Sequence, residues 1–130
     1  MSSDFPPLFT RLRAILVPHA ERLTVSEDTP TRYGLSAPVG PTTLRLWGGK
    51  LKHPQIPVVW VQIGQAYVAY HLMPLYGSSP LAATLTPALK RRLHGKTCFN
   101  FKAIDEPLFA ELADVTARGL AAYLRLGYIA

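Results

Sequence analysis

Residues 58–102 read VVWVQIGQAYVAYHLMPLYGSSPLAATLTPALKRRLHGKTCFNFK, and the fold follows from how this stretch divides. Two runs rich in β-branched and aromatic residues, 58–63 and 66–72, flank Gly64-Gln65. That pattern predicts a β-hairpin with the pair at its tip. Alternation then sorts the side chains. Val59, Val61 and Ile63 share one face, and Trp60 and Gln62 the other. In the return strand Val68, Tyr70 and Leu72 oppose Tyr67, Ala69 and His71. Residues 97–102 predict a further strand, with Thr97, Phe99 and Phe101 pointing away from Cys98, Asn100 and Lys102. Between hairpin and strand lies a helical arm in two pieces. Ser79-Pro80 and Thr86-Pro87 each place a capping residue before a proline, and Gly95 ends the second piece after Lys90, Arg91, Arg92 and His94.

The flanks read as cover for this unit. Upstream, Asp4 caps a helix over 5–23 whose first turn accepts Pro6 and Pro7. Its stripe is Leu8, Leu12, Ile15, Leu16, His19 and Leu23, and SEDTP stops it. Short strands are expected over 32–36 and 43–47, the second placing Arg45 and Trp47 on one face, with Gly48-Gly49 as a turn and a loop over 50–57. Downstream, Asp105 or Glu106 caps a last helix carrying Leu108, Leu112, Val115, Ala122 and Leu126, widened by Phe109, Leu120 and Tyr123 and ending at Gly127. The expected fold is one α+β domain over 1–130. It has an antiparallel sheet of four to five strands, with N- and C-terminal helices packed on one face.

Charge is unevenly distributed. Residues 1–28 carry three arginines against four acids, and residues 105–130 carry two against four. Residues 29–104 carry nine Lys/Arg and no acid, so the net +6 is concentrated in the middle. A basic middle attracts phosphates, carboxylates or nucleic acid. A hydrophobic fraction of 48% argues against disorder. No signal peptide is expected, because MSSDFPP lacks a basic start followed by an apolar run. Residues 53–89 lack charge, but five prolines and polar residues interrupt them, so no membrane span is expected. A lone Cys98 fits a reducing, cytoplasmic setting.

The catalytic and metal motifs are weak. Gly95-Lys96-Thr97 ends like a phosphate-binding loop, but Lys90 stands where the first glycine belongs and a strand follows instead of a helix. Cys98 with His71 as base would make a nucleophile, yet the acid-free middle offers no third member. His19, His53, His71 and His94 lie at no ligand spacing, so no metal or other cofactor is expected. The face opposite the aliphatic one is more telling. It collects Arg45, Trp47, Trp60, Gln62, Tyr67, His71, Cys98, Asn100 and Lys102, with Tyr76 and Lys96 nearby. Aromatic rings interleaved with cations can hold a planar anion or stack bases. Two tryptophans on one open face call for an occupant. The candidates are a small anionic ligand, a protein partner, a second copy of the chain as a homodimer or, more weakly, nucleic acid.

The segment from His71 into the last helix also resembles the YdhG-like family, the domain of unknown function 1801. It is most similar to a bacterial branch with an HLMP–Tyr motif, LK-R-x-x-GK-[ST]-CFNFK and an acidic start to the last helix. The matching residues are His71, Leu72, Met73, Pro74 and Tyr76; Leu89, Lys90, Arg92 and Gly95 to Lys102; and Asp105, Leu108 and Phe109. The resemblance implies a small α+β domain whose function is mostly unassigned. One relative is described as a frataxin-like iron chaperone, but the carboxylate surface that would hold iron is missing here. The expected function is therefore a non-enzymatic binding module. A Cys98/His71-dependent enzyme acting on a small anionic substrate, a nucleic-acid-binding domain and the iron chaperone are the alternatives.

Overall fold

The computed structural model describes residues 5–46, 48, 55–77 and 79–130. Helix α1 (Phe5–Leu16) carries Leu8, Leu12 and Leu16, four residues apart and fully buried. It stops short of the expected residue 23, because Pro18 has no N–H to continue the ladder and Val17–Glu21 tightens into a 3-10 turn. The proposed Asp4 cap lies outside the described residues.

Strands β1 (Thr24–Asp28) and β2 (Arg32–Pro38) follow, then helix α2 (Pro41–Leu46) and the long pair β3 (Gln55–Ile63) and β4 (Val68–Leu72). Three short helices come next, α3 (Pro74–Gly77), α4 (Ser79–Ala83) and α5 (Pro87–Lys90). Strands β5 (Leu93–His94) and β6 (Cys98–Phe101) and helix α6 (Glu106–Arg125) complete the chain. The strands form one antiparallel sheet in the order β1-β2-β3-β4-β6-β5. The architecture is the expected α+β sheet with helices on one face, but with six strands in place of four or five.

The two additional strands are the edges. All five residues of β1 are exposed, so no apolar alternation marks it, and it read as a helix stop. β5 is two residues long, and its His94, with the cations just before it, read as the last turn of a helix. Gly95 does not end that helix. It sits at φ +70° in the turn between β5 and β6, a conformation suited to glycine. The hairpin tip is also wider than two residues. Gly64 N–H donates to the Tyr67 carbonyl at 2.8 Å, so Gly64 to Tyr67 form the turn.

The strand expected over 43–47 is instead α2. Pro41 presets its first turn, and the end of α6 holds it. Thr42 N–H donates to Gly127 O at 2.9 Å, and the Thr42 and Thr43 hydroxyls donate to Leu126 O (2.6 Å) and Tyr128 O (2.7 Å). Glycines make the approach feasible: a Cβ on Gly40 would lie 2.2 Å from Gly127 O. These are tertiary bonds, which an alternating sequence cannot reveal.

Side chains from β2, β3, β4 and β6 meet α1 and α6 in one core. Tyr33, Leu35, Val59, Val61, Val68, Tyr70, Leu72, Phe99 and Phe101 pack with Leu8, Leu12, Leu108, Leu112 and Val115. Asp105 caps α6, its carboxylate accepting from Leu108 N–H at 3.3 Å. A shift of register between Leu35 and Ser36 leaves Val58 and Val59 both buried. Val59 joins the main core, and Val58 joins a second cluster with Ala37, Tyr123 and Ile129. Covering one face this way leaves Trp60, His71, Cys98 and Asn100 only partly buried on the other face of the sheet.

Candidate ligand-binding face

Cross-strand register arranges the open face in two rows. Gly34, Trp60, His71, Cys98 and His94 are successive partners across β2, β3, β4, β6 and β5. One step along the strands, Arg32, Gln62, Ala69 and Asn100 form a parallel row. Each residue is placed by the same alternation that buries its neighbours Val61, Tyr70 and Phe99 on the opposite side.

The first row is centred on a stack. The Trp60 and His71 rings lie 4.6 Å apart, within 15° of parallel. Gly34 leaves room for the indole, since a Cβ there would fall 3.2 Å from Trp60 Cβ. The Arg32 guanidinium lies 5.7 Å from the Trp60 ring and donates to Gln62 Oε1 at 2.8 Å. Its charge is matched by Glu27, whose carboxylate lies 2.7 Å away at the β1 edge.

Next to the stack, Cys98 Sγ lies 3.7 Å from His71 Nε2 and 3.2 Å from Asn100 Oδ1, to which the thiol donates. Burial raises the Cys98 pKa. The His71 pKa is lowered, first by burial and then by Arg32. At neutral pH the pair is therefore a thiol beside a neutral imidazole, the reverse of the thiolate–imidazolium arrangement that activates a cysteine.

The second row leads to a cleft of about 430 Å3 at the β5 edge, lined by Ala66, Tyr67, Arg91, Arg92, His94, Asn100 and Lys102. No acid lines it. Among the described residues, Arg91, Arg92, Lys96 and Lys102 form no ion pair, whereas Arg11, Arg13, Arg32 and Arg118 each have a carboxylate partner. Asp105 borders a neighbouring cleft with Arg91 and Arg92 and offsets part of their field, while the cleft itself presents cations with no acid in its lining.

Of the residues expected at the site, Trp60, Tyr67, His71, Cys98, Asn100 and Lys102 come together on this face. Lys96 lies in the β5–β6 turn with its ammonium 5.2 Å from the ring of Tyr76, an exposed residue of α3. Arg45 does not join them. It rides on α2, where it reaches Thr42 Oγ1 at 3.4 Å, because the predicted strand is a helix. Trp47 lies outside the described residues. Arg32, Arg91, Arg92 and His94 were not anticipated. Arg32 follows the alternation of β2, so its period could have found it; the other three sit on or beside a strand too short to show a period.

Among the described residues, no three His, Cys, Asp or Glu side chains gather as a metal centre would require. No described helix is long and apolar enough to cross a membrane. Comparison with family models, with curated proteins and with solved structures found no match to this chain.

Proposed function

We propose that this protein is a non-enzymatic binding module of the YdhG-like type, and that its open sheet face takes a small anionic ligand bearing a planar ring. The observation that carries this reading is the continuity of the face. The Trp60–His71 stack runs through Cys98 and Asn100 into a cleft bordered by Arg91, Arg92, His94 and Lys102. Rings supply stacking area at low entropic cost, and cations in a cleft with no acid in its lining select the charge. The thiol is committed to Asn100 and its pKa is raised, which favours binding over nucleophilic chemistry. The lone cysteine suits a cytoplasmic setting.

Titration of the protein with aromatic and aliphatic carboxylates and phosphates, followed by thermal shift and tryptophan fluorescence, tests the reading. Aromatic anions are expected to raise Tm and to quench Trp60, and Arg92→Ala to weaken both effects. Trp60→Phe should remove the Trp60 share of the quench while leaving the shift. A panel in which no anion stabilises the protein sinks the proposal. Light scattering at the same concentrations checks the competing occupant, a second copy of the chain. Dimerisation abolished by Trp60→Ala would assign the face to that contact instead.

A further inference from the structure

We infer that the ligand of the open face is a short stretch of single-stranded nucleic acid. This rests on the reading of that face as a site for ring-bearing anions, and it extends that reading from one such anion to a chain of them. Two aromatic platforms stand on the same side of β4. One is the Trp60–His71 stack, and the other is Tyr67, which lines the basic cleft and is 38% exposed. His71 lies in β4 and Tyr67 in the turn just before it, four positions apart, a separation of at most about 13 Å. Successive bases in a stacked strand are ~3.4 Å apart, so a chain of several nucleotides can reach from one platform to the other.

The cations are distributed to match. Lys96, in the β5–β6 turn, precedes β6 and Lys102 follows it, so the two flank opposite ends of the strand. Arg91, Arg92 and His94 border the cleft beside them. A single phosphate needs cations that converge on one point; cations strung along a strand suit a polyanion. No acid lines the cleft itself, and Glu27 lies at the far edge against Arg32. Amide groups of Gln62 and Asn100 lie between the platforms and can contact base edges, so the expected preference is modest and the backbone contribution dominant. A lipid surface is a poorer match. Of the large exposed apolar side chains among the described residues, Val17, Leu44, Leu46, Leu124 and Leu126 lie on or beside the helices, while those bordering this face, Tyr67 and Tyr76, are aromatic rings beside cations.

The test uses the full chain and fluorescein-labelled ten-nucleotide oligothymidine and oligoadenosine in fluorescence anisotropy. Uridine 5′-monophosphate, benzoate, a heparin fragment and phosphatidylglycerol vesicles serve as competitors. The oligonucleotides are expected to bind at least tenfold more tightly than the mononucleotide. Trp60→Ala and Tyr67→Ala should each weaken oligonucleotide binding by about tenfold, with Trp60→Phe restoring most of it. Lys102→Ala should make the dependence of log affinity on log salt shallower by about 0.7. Melting curves confirm that each variant folds, and the exposed Tyr67 and Lys102 keep the test informative if Trp60→Ala does not. Equal affinity for mononucleotide and oligonucleotide overturns this inference and leaves the small-ligand reading standing. So does binding of heparin that matches the oligonucleotide and ignores Tyr67→Ala, or displacement of the oligonucleotide by vesicles alone. Absence of binding by every ring-bearing anion overturns both.

Discussion

Tyr70 and Thr116 provide the sharpest energetic test of how the sheet is tied to α6. Both are fully buried, and their hydroxyls lie 2.6 Å apart. Thr116 Oγ1 donates its one hydrogen to Leu112 O at 2.8 Å, so the bond between the two hydroxyls must be donated by Tyr70. The two partners are therefore not equivalent. Tyr70→Phe removes the donor and leaves Thr116 still bonded to Leu112, a net loss of about 1 kcal/mol. Thr116→Val keeps the shape but strands the Tyr70 hydroxyl in an apolar interior, which costs about 2 kcal/mol. In the double variant no orphan remains, so its cost is expected at about 1 kcal/mol, well below the sum of the single changes. For a chain of 130 residues, about 1 kcal/mol corresponds to roughly 4 °C in Tm. Urea melts of the four proteins at pH 7 read the cycle directly. Equal losses for the two single variants, or a double variant equal to their sum, would refute the donor assignment. The same environment pushes the Tyr70 pKa well above that of a free phenol.

The other predictions concern the two faces of the sheet and its histidines. Phe99 is fully buried, and Phe99→Ala should cost about 3–5 kcal/mol in denaturant melts through the cavity it leaves. Cys98→Ala, on the half-open side, should cost about 1 kcal/mol or less, and a reversed ranking would mean the strand faces are misassigned. His19 and His71 both have pKa values lowered by burial, with Arg32 adding to the effect at His71. The unfolded chain then takes up protons more readily than the folded one, so stability is complete above about pH 6.5 and is lost as pH falls below it. His71→Gln should flatten that decline in melts between pH 7 and pH 5, and an unchanged slope would exclude His71 as a contributor.

Much of the fold was legible because burial imposes a period. The two faces of β3, β4 and β6 followed from alternation, since a strand packed on one side must place every second residue in the core. The stripe of α6 and its Asp105 cap followed likewise from helical spacing and from the hydrogen bonds a helix start requires. That is why Trp60, His71, Cys98 and Asn100 could be assigned to one face before any coordinates. Elements without a buried face carried no such signal. β1 is exposed along its length, β5 is too short for a period, and α2 is held by carbonyls at the far end of the chain. β1 and β5 are placed by backbone pairing with their sequence neighbours β2 and β6, and α2 by bonds to residues 84 and 85 positions away, none of which a side-chain period reveals. The same holds for the basic cleft: Arg91, Arg92 and His94 meet Lys102 and Tyr67 because β5 folds back against β6, so the pairing that adds the edge strand also assembles the cleft.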